Sequence, residues 1–146
     1  MNTIIYPRMH VSCYVSNIAA SISFYEQFFG VAPTKLRKDY AKFELIEPSL
    51  VISFLEAPEK VQNNFGHLGF QVASTIELQN ILDRIKNLGF NFLEENNVSC
   101  CYALQDKFWV TDPDGIRWEV YYFHEDVTFN DPQYSADKSC SGVDCC

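Results

Sequence analysis

Two histidines, a glutamate and two pairs of adjacent cysteines are the residues of this 146-residue chain best suited to chemistry: His10, His67, Glu119, Cys100-Cys101 and Cys145-Cys146. Two imidazoles and a carboxylate can hold a first-row metal while leaving positions open, the facial arrangement that suits Fe(II) when it must also bind dioxygen or substrate. Three such ligands are too few for a closed structural zinc site. Adjacent cysteines fit poorly into a disulfide framework and favour free thiols that meet a soft electrophile or a metal ion. Each feature also has an ordinary reading, with histidines structural or at the surface and cysteines partly buried and inert. His124, among acidic residues, reads as solvated.

Whether the three metal candidates can meet depends on an internal duplication. From His10 the chain runs His-Val-Ser-Cys-Tyr-Val, and a helical stretch ends at Gly30; from His67 it runs His-Leu-Gly-Phe-Gln-Val, and a helical stretch ends at Gly89. Tyr40-Ala41, Phe43 and Glu47-Pro48 are answered by Tyr102-Ala103, Phe108 and Asp112-Pro113, with three extra residues between Tyr-Ala and Phe in the second copy.

The elements follow from periodicity. Met9, Val11, Cys13 and Val15 alternate with His10, Ser12 and Tyr14, which predicts a half-buried strand over 9–15. Ile18, Ile22, Tyr25 and Phe29 line one face of a helix over 17–29, capped by Ser16 or Asn17 and closed by Gly30. A short edge strand at 33–37 and strands at 40–46 and 50–55 complete the first copy. In the second copy a strand over 65–72 precedes a Ser74-x-x-Glu77 capping box and a helix striped by Leu78, Ile81, Leu82 and Ile85. Strands near 91–95, 107–111 and 116–123 follow, the last two joined by an Asp112-Pro113-Asp114-Gly115 turn.

The expected fold is therefore α+β: two βαβββ repeats, about 9–57 and 65–126, pairing mixed sheets around a concave metal site. Strand parity puts His10, His67 and Glu119 on the faces away from the apolar, helix-covered ones. Glu56 has the wrong parity to stand for Glu119 in the first copy and is expected to cap its strand end. One domain spans 1–126, and 127–146, with few large apolar residues, is expected to be a disordered tail carrying Cys140, Cys145 and Cys146.

Composition narrows the partners. Eleven Lys and Arg against nineteen Asp and Glu give a formal charge of −8, which disfavours nucleic acid and anionic lipid. No apolar run approaches the ~18 residues of a spanning helix, and Met1–Arg8 lacks a signal-peptide core, so a cytoplasmic protein without membrane contact is expected.

Duplicated βαβββ with ligands on the first strand of each half and on the last strand resembles the vicinal oxygen chelate superfamily over roughly 9–126. Glyoxalase I in that superfamily carries a fourth ligand, a glutamate, where this chain has Ser53. The segment from Asn97 through Cys100-Cys101 and Gln105-Asp106-Lys107-Phe108-Trp109-Val110, with Arg117-Trp118-Glu119-Val120-Tyr121, is similar to the ArsI/CadI family of iron-dependent carbon-arsenic lyases and cadmium-induced proteins. The resemblance implies a dioxygenase-type lyase that uses Fe(II) and dioxygen to degrade trivalent methyl or aryl arsenicals to arsenite. In that reading Cys100 and Cys101 bind the substrate, and His67 and Glu119 are iron ligands. His10 stands where the lyases often have Gln. Lys107, if not a solvated loop lysine, assists thiolate formation, and Cys145 and Cys146 are accessory thiols. The alternatives are a cadmium- or arsenic-binding tolerance protein without catalysis and another glyoxalase-like metalloenzyme. Members of the superfamily often pair, which leaves room for a homodimer.

Overall fold

The computed structural model describes residues 3–134, so Cys140, Cys145 and Cys146 lie outside the described residues. The chain divides into two compact units: residues up to Asn63 together with Asp112–Gly115, and Asn64–Thr111 together with the residues from Ile116 onward. Among the described residues no helix is long and apolar enough to cross a membrane.

The first unit carries β1 (Met9–Val15), α1 (Ile18–Phe29), β2 (Lys35–Arg37), β3 (Tyr40–Leu45) and β4 (Leu50–Glu56), with sheet order β1-β4-β3-β2. The second carries β5 (Leu68–Val72), α2 (Thr75–Asn87), β6 (Leu93–Cys100), β7 (Ala103–Thr111) and β8 (Arg117–Asp126), in the order β5-β8-β7-β6. In both, the first strand runs parallel to the last and the other pairs are antiparallel. The duplication is thus present in topology, and the register sharpens it. Ser12 faces Ser53 across β1 and β4, while Gly69 faces Glu119 across β5 and β8. Ser53 therefore stands at the position equivalent to Glu119.

Local chemistry starts both helices. Asn17 accepts from the Ala20 amide, and the Ile18 amide donates to Glu56 Oε2 at 2.8 Å. Glu56 thus caps the helix rather than its own strand end, because an unpaired amide at a helix start is the stronger partner for a carboxylate. Ser74 accepts from the Glu77 amide, and Glu77 Oε2 accepts from the Ala73 amide, a reciprocal pairing of the capping-box kind.

The helices cover one face of each sheet. The fully buried side of α1 is Ile18, Ser21, Tyr25 and Phe28, turned slightly from the expected stripe through Ile22 and Phe29. Tyr25 explains the rotation, since its ring stacks on Phe54 at 4.1 Å and its hydroxyl donates to Asp112 Oδ2 at 2.6 Å. That bond, with the Ser16 amide donating to the Asp114 carboxylate at 3.1 Å, fastens the 112–115 turn within the first unit. Cys13, the free cysteine among the described residues, has its thiol pushed up to about 11 by burial and by Asp112. In the second unit Leu78, Leu82 and Ile85 of α2 are buried, as are Phe108, Val110, Trp118 and Val120 on the strands it packs against. Each such side chain contributes about 1.5–3 kcal/mol.

Gly69 permits the closest approach in this unit. A Cβ there would collide with the Glu119 carbonyl oxygen and stand 3.2 Å from the Glu119 Cβ. Gly69→Ala is expected to lower stability by about 1–3 kcal/mol, read from the urea midpoint, because β5 must back away from β8. An unchanged midpoint would show that the strands have slack here.

Candidate metal and thiol site

The bare face of the second sheet is set by alternation. His67, immediately before β5, shares its side with Gly69 and Gln71, which pair with Glu119 and Tyr121 of β8. Across β8, Glu119 and Tyr121 pair in turn with Trp109 and Lys107 of β7.

Glu119 is the hub of this face. Its Oε1 accepts from Lys107 Nζ at 3.0 Å, and its Oε2 lies 3.2 Å from His67 Nε2. The Lys107 side chain is 0% exposed, which corrects the expectation of a solvated loop lysine. The reason is that β7 begins at Ala103 rather than near 107, so Lys107 sits inside a paired strand with its stem along the sheet. A buried ammonium needs a carboxylate within reach, and Glu119 supplies it.

Trp109 forms the floor beside them. The His67 and Trp109 rings stand perpendicular with centroids 4.9 Å apart, Lys107 Nζ lies 5.3 Å from the indole centroid, and the Arg117 guanidinium covers it at 4.1 Å. The indole N–H donates to Glu95 Oε2 at 3.0 Å, which fixes the ring. Further along, the Tyr121 hydroxyl donates to Gln71 Oε1 at 3.1 Å, and burial together with the Glu119 charge pushes that hydroxyl's pKa up. Of these supporting residues the sequence assigned a role only to Lys107; the alternation of Gln105, Lys107 and Trp109 on one side of a strand is the signal that places Trp109 beside it.

An imidazole nitrogen and a carboxylate oxygen 3.2 Å apart match neighbouring corners around one divalent ion with bonds of about 2.1 Å. The donor pair therefore fits a metal. The structure brings together two of the three expected ligands; His10, exposed on β1, belongs to the first unit. Within neither unit do three His, Cys, Asp or Glu side chains gather among the described residues.

The vicinal cysteines stand at the other end of β7. Cys100 closes β6, pairs with Ala103 and is fully buried, whereas Cys101 is exposed. The extra residues of the second copy thus extend the β6–β7 hairpin instead of forming a long loop. Its tip is a two-residue turn with Cys101 at φ 51° and Tyr102 at φ 60°. Paired left-handed residues suit a hairpin's twist but ordinarily call for Asn or Gly. This departure from strand geometry brings the two sulfurs to 3.7 Å, where regular alternation would send them to opposite faces. At 3.7 Å the two sulfurs are not bonded to each other, but each is in the disulfide state, correcting the expectation of free thiols, so the dithiol is generated by reduction.

Trp109 stands six positions beyond Ala103 along β7, about 20 Å at strand rise. Lys107 stands four positions beyond Ala103, and its partner is the Glu119 carboxylate rather than the thiols. Interruptions in pairing between Glu95 and Val98 and between Leu104 and Gln105 give the hairpin points at which to bend. His124, read as solvated, is exposed but lies 2.8 Å from Asp106 Oδ2 through its Nε2.

Beyond β8 the backbone returns to this tip instead of leaving it. The Val127 amide donates to the Tyr102 carbonyl at 2.8 Å, the Tyr102 amide to Asn130 Oδ1 at 2.7 Å, and the Ser99 amide to Asp131 Oδ2 at 2.9 Å. Residues 127–131, expected to start a disordered tail, are thus hydrogen-bonded to the cysteine turn.

Residues 9–120 match the model of the Glyoxalase/Bleomycin resistance protein/Dioxygenase superfamily. The chain is 46% identical over 114 residues to a probable trivalent organoarsenical cleaving enzyme of Bacillus subtilis, with 78% of each chain covered. It is 36% identical over 152 residues to a trivalent organoarsenical cleaving enzyme of Thermomonospora curvata, covering 95% of this chain and 99% of that protein. The cadmium-induced protein CadI of Mycobacterium tuberculosis is 36% identical over 114 residues, covering 78% and 74%. A glyoxalase/bleomycin resistance protein/dioxygenase from Alicyclobacillus acidocaldarius shares the fold, with a TM-score of 0.68 at 14% identity over 82% of this chain and 93% of that one.

Proposed function

The chain belongs to the Glyoxalase/Bleomycin resistance protein/Dioxygenase superfamily and, within it, to the family of the trivalent organoarsenical cleaving enzymes and CadI, and from that membership we propose that it cleaves the carbon-arsenic bond of trivalent methyl or aryl arsenicals, releasing arsenite. The observation that carries this reading is a vicinal cysteine pair turned out of strand geometry, with sulfurs 3.7 Å apart, at the tip of the hairpin whose second strand presents Lys107 to Glu119.

Trivalent arsenic is soft and thiophilic. After reduction, exposed Cys101 exchanges one arsenic-oxygen bond for arsenic-sulfur, and Cys100 exchanges the second, each thiol proton leaving with the displaced hydroxide as water. The carbon substituent is then the remaining group on arsenic. Bending of the hairpin at its two pairing interruptions carries it toward the His67/Glu119 end of the sheet.

His67 and Glu119 would hold Fe(II), which supplies the redox chemistry with dioxygen that oxidative cleavage of carbon requires. Lys107 grips one carboxylate oxygen and so fixes the other beside His67. Trp109, backed by Arg117, seals the floor against water.

The test uses reduced, anaerobically iron-loaded protein with methylarsenite, to which oxygen is then admitted. Arsenite release with matching oxygen uptake is expected. No release would favour the second reading, suggested by the CadI relative: a thiol protein that sequesters cadmium or arsenic. Thiol-to-cadmium stoichiometry measures that directly.

A further inference from the structure

We infer that the segment 127–131 is a positioning strap for arsenical capture, with Asn130 and Asp131 holding the cysteine turn in the shape that lets one arsenic reach both sulfurs. The inference rests on the functional reading above and adds residues to it. Neither cysteine is an Asn or Gly, yet Cys101 and its neighbour Tyr102 hold left-handed conformations. A turn built from such residues relaxes unless its backbone groups are engaged from outside.

The strap engages them on both sides of the pair. Ahead of Cys100, the Ser99 amide donates to Asp131 Oδ2 at 2.9 Å, and the Ser99 carbonyl accepts from the Asp131 amide at 2.8 Å. Behind Cys101, the Tyr102 amide donates to Asn130 Oδ1 at 2.7 Å, and the Tyr102 carbonyl accepts from the Val127 amide at 2.8 Å. Gln105 Nε2 donates to the Cys100 carbonyl at 3.1 Å from within β7. Four of these five bonds come from the strap, two through side-chain oxygens that substitution can remove singly.

These residues act through the thiols and touch no substrate, so the readout is chelation rather than turnover. Phenylarsine oxide needs two sulfurs in register, whereas iodoacetamide reacts with each thiol alone. On reduced full-length protein, Asn130→Ala or Asp131→Ala should weaken phenylarsine oxide binding about tenfold, the scale of one lost hydrogen bond. Iodoacetamide labelling should not slow. Asn130→Asp and Asp131→Asn keep the accepting oxygen and should restore binding. If the alanine variants fail to fold, Asn130→Ser, with a shortened acceptor, should show intermediate weakening. Wild-type affinity in the alanine or serine variants, or no recovery in the oxygen-retaining ones, overturns the inference alone. Weak binding by the reduced wild-type protein overturns the functional reading and this inference with it.

Discussion

Replacing both Cys100 and Cys101 with serine is expected to lower kcat/KM for methylarsenite about 10³-fold or more while leaving iron stoichiometry unchanged. An alcohol stays protonated at neutral pH and is a hard donor, whereas a thiol of ordinary pKa, about 8.5, ionises in part and exchanges onto soft arsenic. Chelation also replaces two encounters by one bound geometry, the larger share of the effect. The two single variants should differ. Cys101 is exposed and in the proposed capture makes the first bond, so Cys101→Ser is expected to remove capture. Cys100 is fully buried, so Cys100→Ser also places a hydroxyl in the protein interior at about 1–3 kcal/mol, visible in the melt. Iron binding is spared because the turn lies at the far end of β7 from Trp109 and Glu119. Turnover by the double-serine protein would sink the thiol-capture reading.

Glu119→Gln should be the most damaging single change at the other end of the sheet, through two separable routes. It removes the carboxylate proposed to hold the metal, with iron affinity expected to fall about 10²-fold or more. It also deprives the Lys107 ammonium, wholly buried, of its carboxylate, with stability expected to fall by about 3–5 kcal/mol. Adding Lys107→Met separates the routes. The double variant removes both charges, so its urea midpoint should return most of the way to wild type while iron affinity stays low. A double variant as unstable as Glu119→Gln would show that the carboxylate's structural role lies elsewhere than in this pair. Recovery of iron binding together with stability would show that Glu119 is no ligand.

Much of the architecture is legible in the sequence. The matching His-x-x-x-x-Val segments revealed the duplication, and alternation assigned His67 and Glu119 to one face, which the Gly69–Glu119 register realises. Aligning the two halves placed Ser53 at the position equivalent to Glu119, and the structure sets it opposite Ser12. These are period-two regularities that survive in any single stretch of chain.

Other features were hidden for identifiable reasons. Lys107 looked solvated because a lysine announces water, and its burial follows from where β7 starts and from a carboxylate twelve residues away. The cysteine turn looked like a loop because two consecutive non-glycine residues at positive φ are not what a hairpin tip ordinarily uses. The segment 127–131 looked like the start of a tail because it is polar, and polarity carries no record of which backbone amides it will meet. By itself the sequence determined the repeat and the strand faces, since both depend on spacing along the chain. Only the tertiary structure decided which carboxylate oxygen faces His67, why Lys107 is buried, and what holds the two sulfurs side by side. Those depend on partners brought together by folding, through hydrogen bonds that weaken steeply away from contact geometry and ion pairs that burial places side by side.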